Sequence, residues 1–111
     1  MRFFSRLSTP EIAVAELDAL IQSRSVRVLD VREDWEFRRG SVPGAVNVPL
    51  KKLPLRAAQL KRDKPYAVIC ASGSRSRSAT NFLLGEGFKG AVSVKGGTSA
   101  WSRANRPLVR A

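Results

Sequence analysis

The sequence predicts an α/β domain built on a largely parallel sheet. Short apolar runs rich in β-branched residues alternate with segments whose apolar residues recur at helical spacing, a pattern typical of parallel sheets covered by helices. The clearest apolar run, residues 66–69, passes directly into Cys70 and a stretch of small residues that leads to a helical segment. Because ligands of open α/β sheets bind at the carboxyl ends of strands, this stretch is the predicted functional site.

The first predicted element is a helix from Thr9 to about Ser23. Thr9 is a favourable N-cap, Pro10 suits the first helical position, and Glu11 suits the positive end of the helix dipole. Apolar residues then follow at helical spacing, namely Ile12, Ala13, Leu17, Leu20 and Ile21.

Four short strands are predicted, each a β-branched or apolar run, over residues 27–31, 45–48, 66–69 and 91–94. Between the first two strands we expect a short helix over residues 33–39 that Gly40 ends, followed by a turn at residues 41–44. A second helix is expected within residues 51–62, entered near Pro54, with Leu55, Ala58 and Leu60 available for packing. The remaining predicted helices begin at Arg75, with Ala79, Phe82 and Leu83 inward, and at Thr98.

Length and composition indicate one soluble globular domain over residues 1–111. The chain is 43% hydrophobic and 26% charged, without internal repeats or a long linker. No apolar run has the length of a membrane span, so no membrane association is expected. Residues 1–6 lack the apolar core of a signal peptide, and we predict a cytoplasmic protein.

The counts of cysteine and histidine narrow the chemistry. One cysteine makes no internal disulfide and offers no set of thiolate metal ligands, and the absence of histidine excludes Ser-His and Cys-His catalysis. We therefore expect no metal and no cofactor. A nucleophile in this chain would have to be activated by backbone dipoles, arginine or lysine.

The positive charge is concentrated in the half of the chain that holds the cysteine. Residues 1–63 carry twelve basic and eight acidic side chains, a balance of +4, whereas residues 64–111 carry eight basic and one acidic, a balance of +7. Such a field attracts small anions and acidic proteins, although a solvated basic surface without a dedicated partner fits the count equally well. No zinc-finger or RNA-binding motif is present, so no specific nucleic-acid partner is expected.

Cys70 is the candidate nucleophile. The N–H groups of a strand–loop–helix turn, with the positive end of the following helix, form an anion-binding concavity, and these dipoles together with Arg75 would stabilise a thiolate. The alternative is that Cys70 is a small buried hydrophobe, as most free cysteines are.

Four motifs in order resemble those of single-domain rhodaneses, and the likeness implies a domain core at about residues 8–107. Leu29-Asp30-Val31-Arg32-Glu33 with Gly40-Ser41-Val42-Pro43-Gly44-Ala45-Val46-Asn47-Val48-Pro49 resembles the first, and Cys70-Ala71-Ser72-Gly73-Ser74-Arg75-Ser76 resembles the active-site loop. Glu86-Gly87-Phe88 and Lys95-Gly96-Gly97-Thr98-Ser99-Ala100-Trp101 resemble the two closing motifs.

The resemblance implies a five-stranded parallel sheet flanked by helices on both faces, and a sulfurtransferase. In that family a sulfane sulfur, often from thiosulfate, is carried as a persulfide on the cysteine and passed to cyanide or a thiol. Here Cys70 would be catalytic, and the loop residues Ala71, Ser72, Gly73, Ser74, Arg75 and Ser76 would bind substrate. Family members commonly have arginine and asparagine where Ala71 and Ser74 stand, which weakens the expectation of efficient thiosulfate use. Ser41 stands where a histidine is frequent, at a position we interpret as structural.

Several side chains near the loop admit two interpretations. Arg75 is interpreted as a substrate-anion ligand rather than a loop cap. Asp30 and Arg32 are expected to form a structural salt bridge near the site rather than to touch substrate. Trp35 and Trp101 are expected in the core. Arg77, Lys89, Lys95 and Arg103 form either a basic rim around the site or a solvated face.

Two other functions are alternatives to a sulfurtransferase. The first is a phosphatase or arsenate reductase of the related type, which needs five residues between cysteine and arginine to enclose a tetrahedral oxyanion. Only four residues separate Cys70 from Arg75, which argues against this alternative.

The second alternative is a sulfur-carrier or partner-docking module that turns over little thiosulfate. The positive charge of the chain would suit an acidic protein partner.

Overall fold

The computed structural model of the chain describes residues 9–111. Its five strands form one sheet in the order β1-β5-β4-β2-β3, and every pair of neighbouring strands is parallel. The strands are β1 (Glu11–Ile12), β2 (Arg27–Asp30), β3 (Val46–Asn47), β4 (Pro65–Ile69) and β5 (Gly90–Val94). The helices are α1 (Val14–Gln22), α2 (Asp34–Arg39), α3 (Leu53–Arg56), α4 (Ser74–Gly85) and α5 (Gly97–Arg103).

Helices cover both faces of the sheet, as predicted. Side chains alternate along a strand, so in β4 Tyr66 and Val68 pack against α3 and α4 while Ala67 and Ile69 pack against α1 and α5. The two resulting clusters centre on Leu53, Ala79 and Leu83 on one side and on Leu17 and Trp101 on the other. β4 lies in the middle of the sheet, between β5 and β2.

The predicted start of the first helix is wrong. Glu11 and Ile12 form β1, which pairs with Ser93 and Val94 of β5, and the helix begins only at Val14 with Ala13 as its N-cap. The carbonyls of Pro10 and Ile12 accept backbone hydrogen bonds from the N–H groups of Ser93 and Lys95, so this segment pairs along the edge of β5 instead of opening a helix. Residues 1–6, and Ser8 just before the predicted start, lie outside the described residues.

The predicted helix within residues 51–62 begins near Pro54, as expected, but it is not continuous. Residues 50–59 form a 3₁₀ turn (Leu50–Lys52), the single-turn helix α3 and another 3₁₀ turn (Ala57–Gln59). This register buries Leu53 and Ala57 and leaves Leu55, which was expected to pack, 84% exposed. Leu60 packs on the edge of the cluster, as predicted.

The remaining helices lie close to their predicted positions. Of the two tryptophans expected in the core, only one is buried. Trp101 is buried as expected, whereas Trp35 is 59% exposed and lies under the Arg39 guanidinium, 5.3 Å from its ring centroid. α2 has only six residues and buries none of them, so it offers no core position for an indole.

The segment after α5 pairs with the loop that follows α2. Ser41 and Val109 form an isolated antiparallel bridge through backbone hydrogen bonds of 2.9 and 2.8 Å. No helix of residues 9–111 is long and apolar enough to cross a membrane.

Candidate active site

Cys70 is held at the carboxyl end of the central strand β4. Tyr66–Ile69 of that strand are buried, and Cys70 itself is 1% exposed. The position agrees with the placement expected from the sequence, since the apolar run ends one residue before the thiol.

Gly73 turns the chain from the strand end into α4. Its backbone lies in the left-handed region, with φ of 112°, and it is the N-cap of the helix. A side chain would be strained in that conformation, so glycine is required for a loop this short. The first turn of α4 then contributes the N–H groups of Ser74, Arg75 and Ser76, for which the helix has no preceding carbonyl.

The first turn of α5 holds the cysteine loop from the other side. Thr98 donates its N–H to the carbonyl of Cys70 (2.8 Å), and Ser99 donates to that of Ala71 (3.1 Å). Gly97 makes this approach feasible, because a Cβ on it would lie 2.2 Å from the Cys70 carbonyl oxygen. The closing motif Gly96-Gly97 is thus a clamp on the active-site loop, which a sequence pattern alone does not reveal.

The sulfur atom accepts hydrogen bonds from the loop. The N–H of Gly73 lies 3.1 Å and that of Ser76 3.3 Å from Cys70 Sγ. The thiol in turn donates to Ser76 Oγ at 3.6 Å. Two backbone donors aimed at one sulfur stabilise its negative form, as an oxyanion hole does for oxygen.

These hydrogen bonds decide the protonation of Cys70. Burial acts to raise the pKa of the thiol, whereas the Ser76 hydroxyl and the N–H groups of Ser76, Gly73 and Ser72 act to lower it. The hydrogen bonds prevail, and the pKa of Cys70 lies below its usual range. The thiolate, the reactive form of cysteine, therefore forms at a lower pH than in an ordinary cysteine.

Arg75 is paired with a carboxylate that the sequence analysis did not single out. Its guanidinium donates two hydrogen bonds to Glu36 of α2, at 2.7 and 3.0 Å. The Arg75 bond holds the pKa of Glu36 below its usual range despite the opposing effect of burial, and the same bond raises the pKa of Arg75. The activating hydrogen bonds to the sulfur come from the loop and Ser76 rather than from this guanidinium.

Asp30 and Arg32 lie buried at the carboxyl end of β2, beside β4. The Arg32 guanidinium donates to the Asp30 carboxylate at 2.8 Å and to the carbonyl of Gly40 at 2.7 Å. Asn47 of β3 donates to the backbone carbonyls of both residues. The pair thus connects β2, β3 and the end of α2, and its side chains are occupied by protein partners.

Ser93 of β5 is a second residue that the sequence analysis missed. Its hydroxyl lies 2.8 Å from Ser76 Oγ, and both serines are fully buried. A serine in the apolar run of β5 was the available signal, because a buried hydroxyl needs a hydrogen-bond partner.

A groove of about 420 Å³ lies away from Cys70, at the amino-terminal end of the sheet. It is lined by Ile21, Arg24, Val26, Arg27, Val28, Leu29, Pro43, Gly44, Val46, Leu60 and Tyr66. Cys70 is at the opposite end of the sheet, so this groove and the candidate site do not coincide.

No group of three or more Cys, Asp or Glu side chains that could hold a metal ion occurs in residues 9–111. The donor set around Cys70 consists of N–H groups and hydroxyls, which suits an anionic sulfur.

Comparison with known proteins decides the family. The sequence model of the rhodanese-like domain matches residues 13–104. The chain belongs to the rhodanese-like family. Among sulfurtransferases of this family, it resembles the single-domain members over most of its length.

Relatives of similar length support the assignment. The Bacillus subtilis protein YtwF is 38% identical over 87% of this chain and 94% of its own length. Thiosulfate sulfurtransferase GlpE of Shewanella oneidensis is 33% identical, covering 88% of this chain and 97% of its own. The crystal structure of a rhodanese-related protein from Thermoplasma volcanium superposes with a TM-score of 0.84 at 40% identity, over 90% of this chain and 97% of that one.

Proposed function

We propose that this rhodanese-like protein moves a sulfane sulfur from thiosulfate or a related persulfide donor to cyanide or a thiol, through a persulfide on Cys70. The observation that carries the proposal is the pair of backbone N–H groups, from Gly73 and Ser76, directed at Cys70 Sγ. A merely structural cysteine has no need of such donors, because a neutral thiol is a weak acceptor.

In the first half-reaction the Cys70 thiolate attacks the sulfane sulfur of the donor. A bond forms between Cys70 Sγ and that sulfur, and the bond from the sulfur to the rest of the donor breaks. Thiosulfate leaves as sulfite and a persulfide donor leaves as a thiolate, so the total charge is unchanged and no external oxidant is consumed.

In the second half-reaction the acceptor attacks the outer sulfur of the Cys70 persulfide. Cyanide leaves as thiocyanate, or a thiolate leaves as a new persulfide, and the Cys70 thiolate is restored. The thiolate charge lies on Sγ and the persulfide charge on the outer sulfur. The N–H groups of Gly73 and Ser76 at Sγ would therefore favour the thiolate, and the remaining N–H groups at the start of α4 would favour the persulfide.

The loop residues have distinct roles in this proposal. Ser72, Gly73 and Ser76 supply N–H groups to the sulfur, and those of Ser74 and Arg75, in the first turn of α4, face no helical acceptor. Ala71 supplies its carbonyl to the clamp of α5. The substrate is thus recognised mainly by backbone.

The charges around the loop bear on which sulfur donor the protein uses. The name of the GlpE relative supports thiosulfate. Within the loop, however, Arg75 is the one charged side chain, and it is already paired with Glu36. With Ala71 in place of the family's common arginine, a dianionic donor meets little free positive charge, so we expect thiosulfate to be used less efficiently than a persulfide.

Intact mass measurement tests the proposal directly. The protein is incubated with thiosulfate or with a low-molecular-weight persulfide, and Cys70→Ser is the control. We expect the native protein to gain the mass of one sulfur atom and to lose it on addition of cyanide, while the variant gains nothing. Absence of added sulfur with both donors would overturn the proposal.

A sulfur-carrier or docking role is the second candidate, and the charge distribution favours it. The balance of +7 over residues 64–111 would attract an acidic protein as the sulfur acceptor. Binding of such a partner should weaken steeply as salt rises. A persulfide that forms on Cys70 but passes to cyanide only slowly would favour the carrier over the enzyme. For either role we propose the cytoplasm as the compartment, where a lone thiol stays reduced.

A further inference from the structure

A buried chain of hydroxyls leads from β5 to the sulfur atom. Ser93 Oγ lies 2.8 Å from Ser76 Oγ, which lies 3.6 Å from Cys70 Sγ and 3.1 Å from the carbonyl of Gly73. Ser93 has the same strand face as Ala91, which packs in the cluster of α4. The alternation of β5 therefore places a hydroxyl against the first turn of α4, where a core residue would ordinarily lie.

The Ser76 hydroxyl has three hydrogen-bonding partners but only one proton to donate. In the thiol state Ser76 Oγ receives the S–H of Cys70 and gives its own proton to the Gly73 carbonyl, which can only accept. The remaining contact, to Ser93, is then satisfied when Ser93 donates. All three distances fit this arrangement.

Loss of the thiol proton changes the requirement on Ser76. The thiolate or persulfide sulfur has no proton to donate, so the Ser76 hydroxyl must turn from the Gly73 carbonyl towards the sulfur. It can do so only if its proton is not needed elsewhere. A proton donated by Ser93 fills a lone pair of Ser76 Oγ and leaves the Ser76 proton for the sulfur, and such chains also strengthen the terminal hydrogen bond.

We propose that Ser93 is a positioning residue for the sulfur chemistry: it donates to Ser76 and thereby directs the Ser76 hydroxyl to the anionic sulfur of Cys70. This inference deepens the proposed function and rests on it for its purpose, but the hydrogen-bond chain can be tested without any sulfur transfer. The lowered pKa of the thiol, to which the Ser76 hydroxyl contributes, agrees with it.

The test is an equilibrium titration of the thiolate by its far-ultraviolet absorbance, with Cys70→Ser subtracted as the blank. The single cysteine makes the signal specific. Charged groups on the elements around the thiol include Arg75 and Arg77 on α4, Glu33 and Glu36 at α2, and the Asp30–Arg32 pair at the end of β2. All of them are kept in every variant.

Ser76→Ala removes the donor itself and should raise the Cys70 pKa by about one unit, the value of a charge-assisted hydrogen bond. Ser93→Ala should raise the pKa by about half as much, because it weakens that bond without removing it. The decisive variant is the double substitution, which should titrate like Ser76→Ala alone, since Ser93 acts through Ser76.

Two controls separate the proposed role of Ser93 from the general effect of losing a buried hydroxyl. Ser41 is another buried serine, and its hydroxyl donates to the Val109 carbonyl. Ser41→Ala should leave the titration of Cys70 unchanged. Ser93→Thr keeps the hydroxyl and should titrate within error of the native protein, and circular dichroism verifies that each variant is folded.

The inference would be overturned if Ser93→Ala left the pKa of Cys70 unchanged. It would also be overturned if Ser93→Ala shifted that pKa equally in the native protein and in Ser76→Ala. Neither result depends on sulfur transfer. If Cys70 takes up no sulfur although the coupled shift is seen, the proposed function fails while the hydrogen-bond chain stands.

Discussion

The two ends of the sheet differ in what they offer a ligand. The amino-terminal end has an apolar groove of about 420 Å³ beside Val28 and Tyr66, whereas the carboxyl end has a nearly closed loop in which Cys70 is 1% exposed. The proposed chemistry lies at the closed end, where backbone N–H groups and serine hydroxyls converge on one sulfur. For the small sulfur donors that we propose, directed hydrogen bonds matter more than cavity volume, because stabilisation of the anion requires donors at fixed positions.

The largest effect should follow from disturbing the clamp at the carboxyl end. Gly97→Ala would place a Cβ 2.2 Å from the Cys70 carbonyl oxygen, at a residue with φ of 58°. We expect a loss of about 3 kcal/mol of unfolding free energy, from overpacking and left-handed strain together, and a loss of most persulfide formation. Denaturant unfolding and intact mass measure the two.

Gly85→Ala is the matched control for that substitution. Gly85 ends α4 with nothing within 4 Å of its would-be Cβ, so alanine should be neutral or stabilise the fold by about 0.5 kcal/mol. Equal losses in both variants would show that the clamp has no special importance.

The pH dependence of persulfide formation should report the thiolate. Because the folded pKa of Cys70 is lowered, the reactive form is fully present at pH values above the ordinary cysteine pKa and is lost as the pH falls through the lowered one. The rate should fall about tenfold for each unit below that point. By the same linkage the ionised sulfur stabilises the fold above the ordinary pKa, and that stabilisation is lost on acidification. A rate that keeps rising up to the ordinary cysteine pKa would contradict the lowered value.

Freeing Arg75 should have a smaller effect, limited to the choice of donor. Glu36→Gln removes the carboxylate that holds the guanidinium, and the released charge should lower KM for thiosulfate about threefold, the range of a partly exposed ion pair. KM for an uncharged acceptor thiol should not change. Steady-state kinetics with the two substrates varied separately measure this, and an unchanged KM for thiosulfate would mean that Arg75 cannot reach the donor.

The smallest effect on transfer is expected at the other end of the sheet. Tyr66→Phe removes a hydroxyl that accepts from the Lys61 N–H at 3.2 Å, beside the groove. It should cost about 1 kcal/mol of stability and leave persulfide formation unchanged. A loss of transfer comparable to that of Gly97→Ala would break the distinction between the two ends.

Most of the fold could be predicted from the sequence, and the misses have a common cause. β4, α2, α4 and α5 appeared close to their true positions because their patterns are local. β1 was mistaken for a helix start, since Thr9-Pro10-Glu11 fits an N-terminus locally and only the partner strand β5 makes it a strand. Leu55 and Trp35 were expected to be buried, but both are exposed and lie in helices of four and six residues. In helices this short, the helical repeat of apolar residues does not determine which side chains are buried; the neighbouring turns do.

The sequence by itself determined that a lone cysteine follows a buried strand, that no histidine can activate it, and that four residues separate it from Arg75. These are properties of neighbouring residues. Only the tertiary structure decided which groups meet the sulfur and the loop: Glu36 on Arg75, Gly97 against the Cys70 carbonyl, and Ser93 behind Ser76. Those partners are 17 to 39 residues apart along the chain in the hydrogen-bonded cases, and the order of strands in the sheet brings them together.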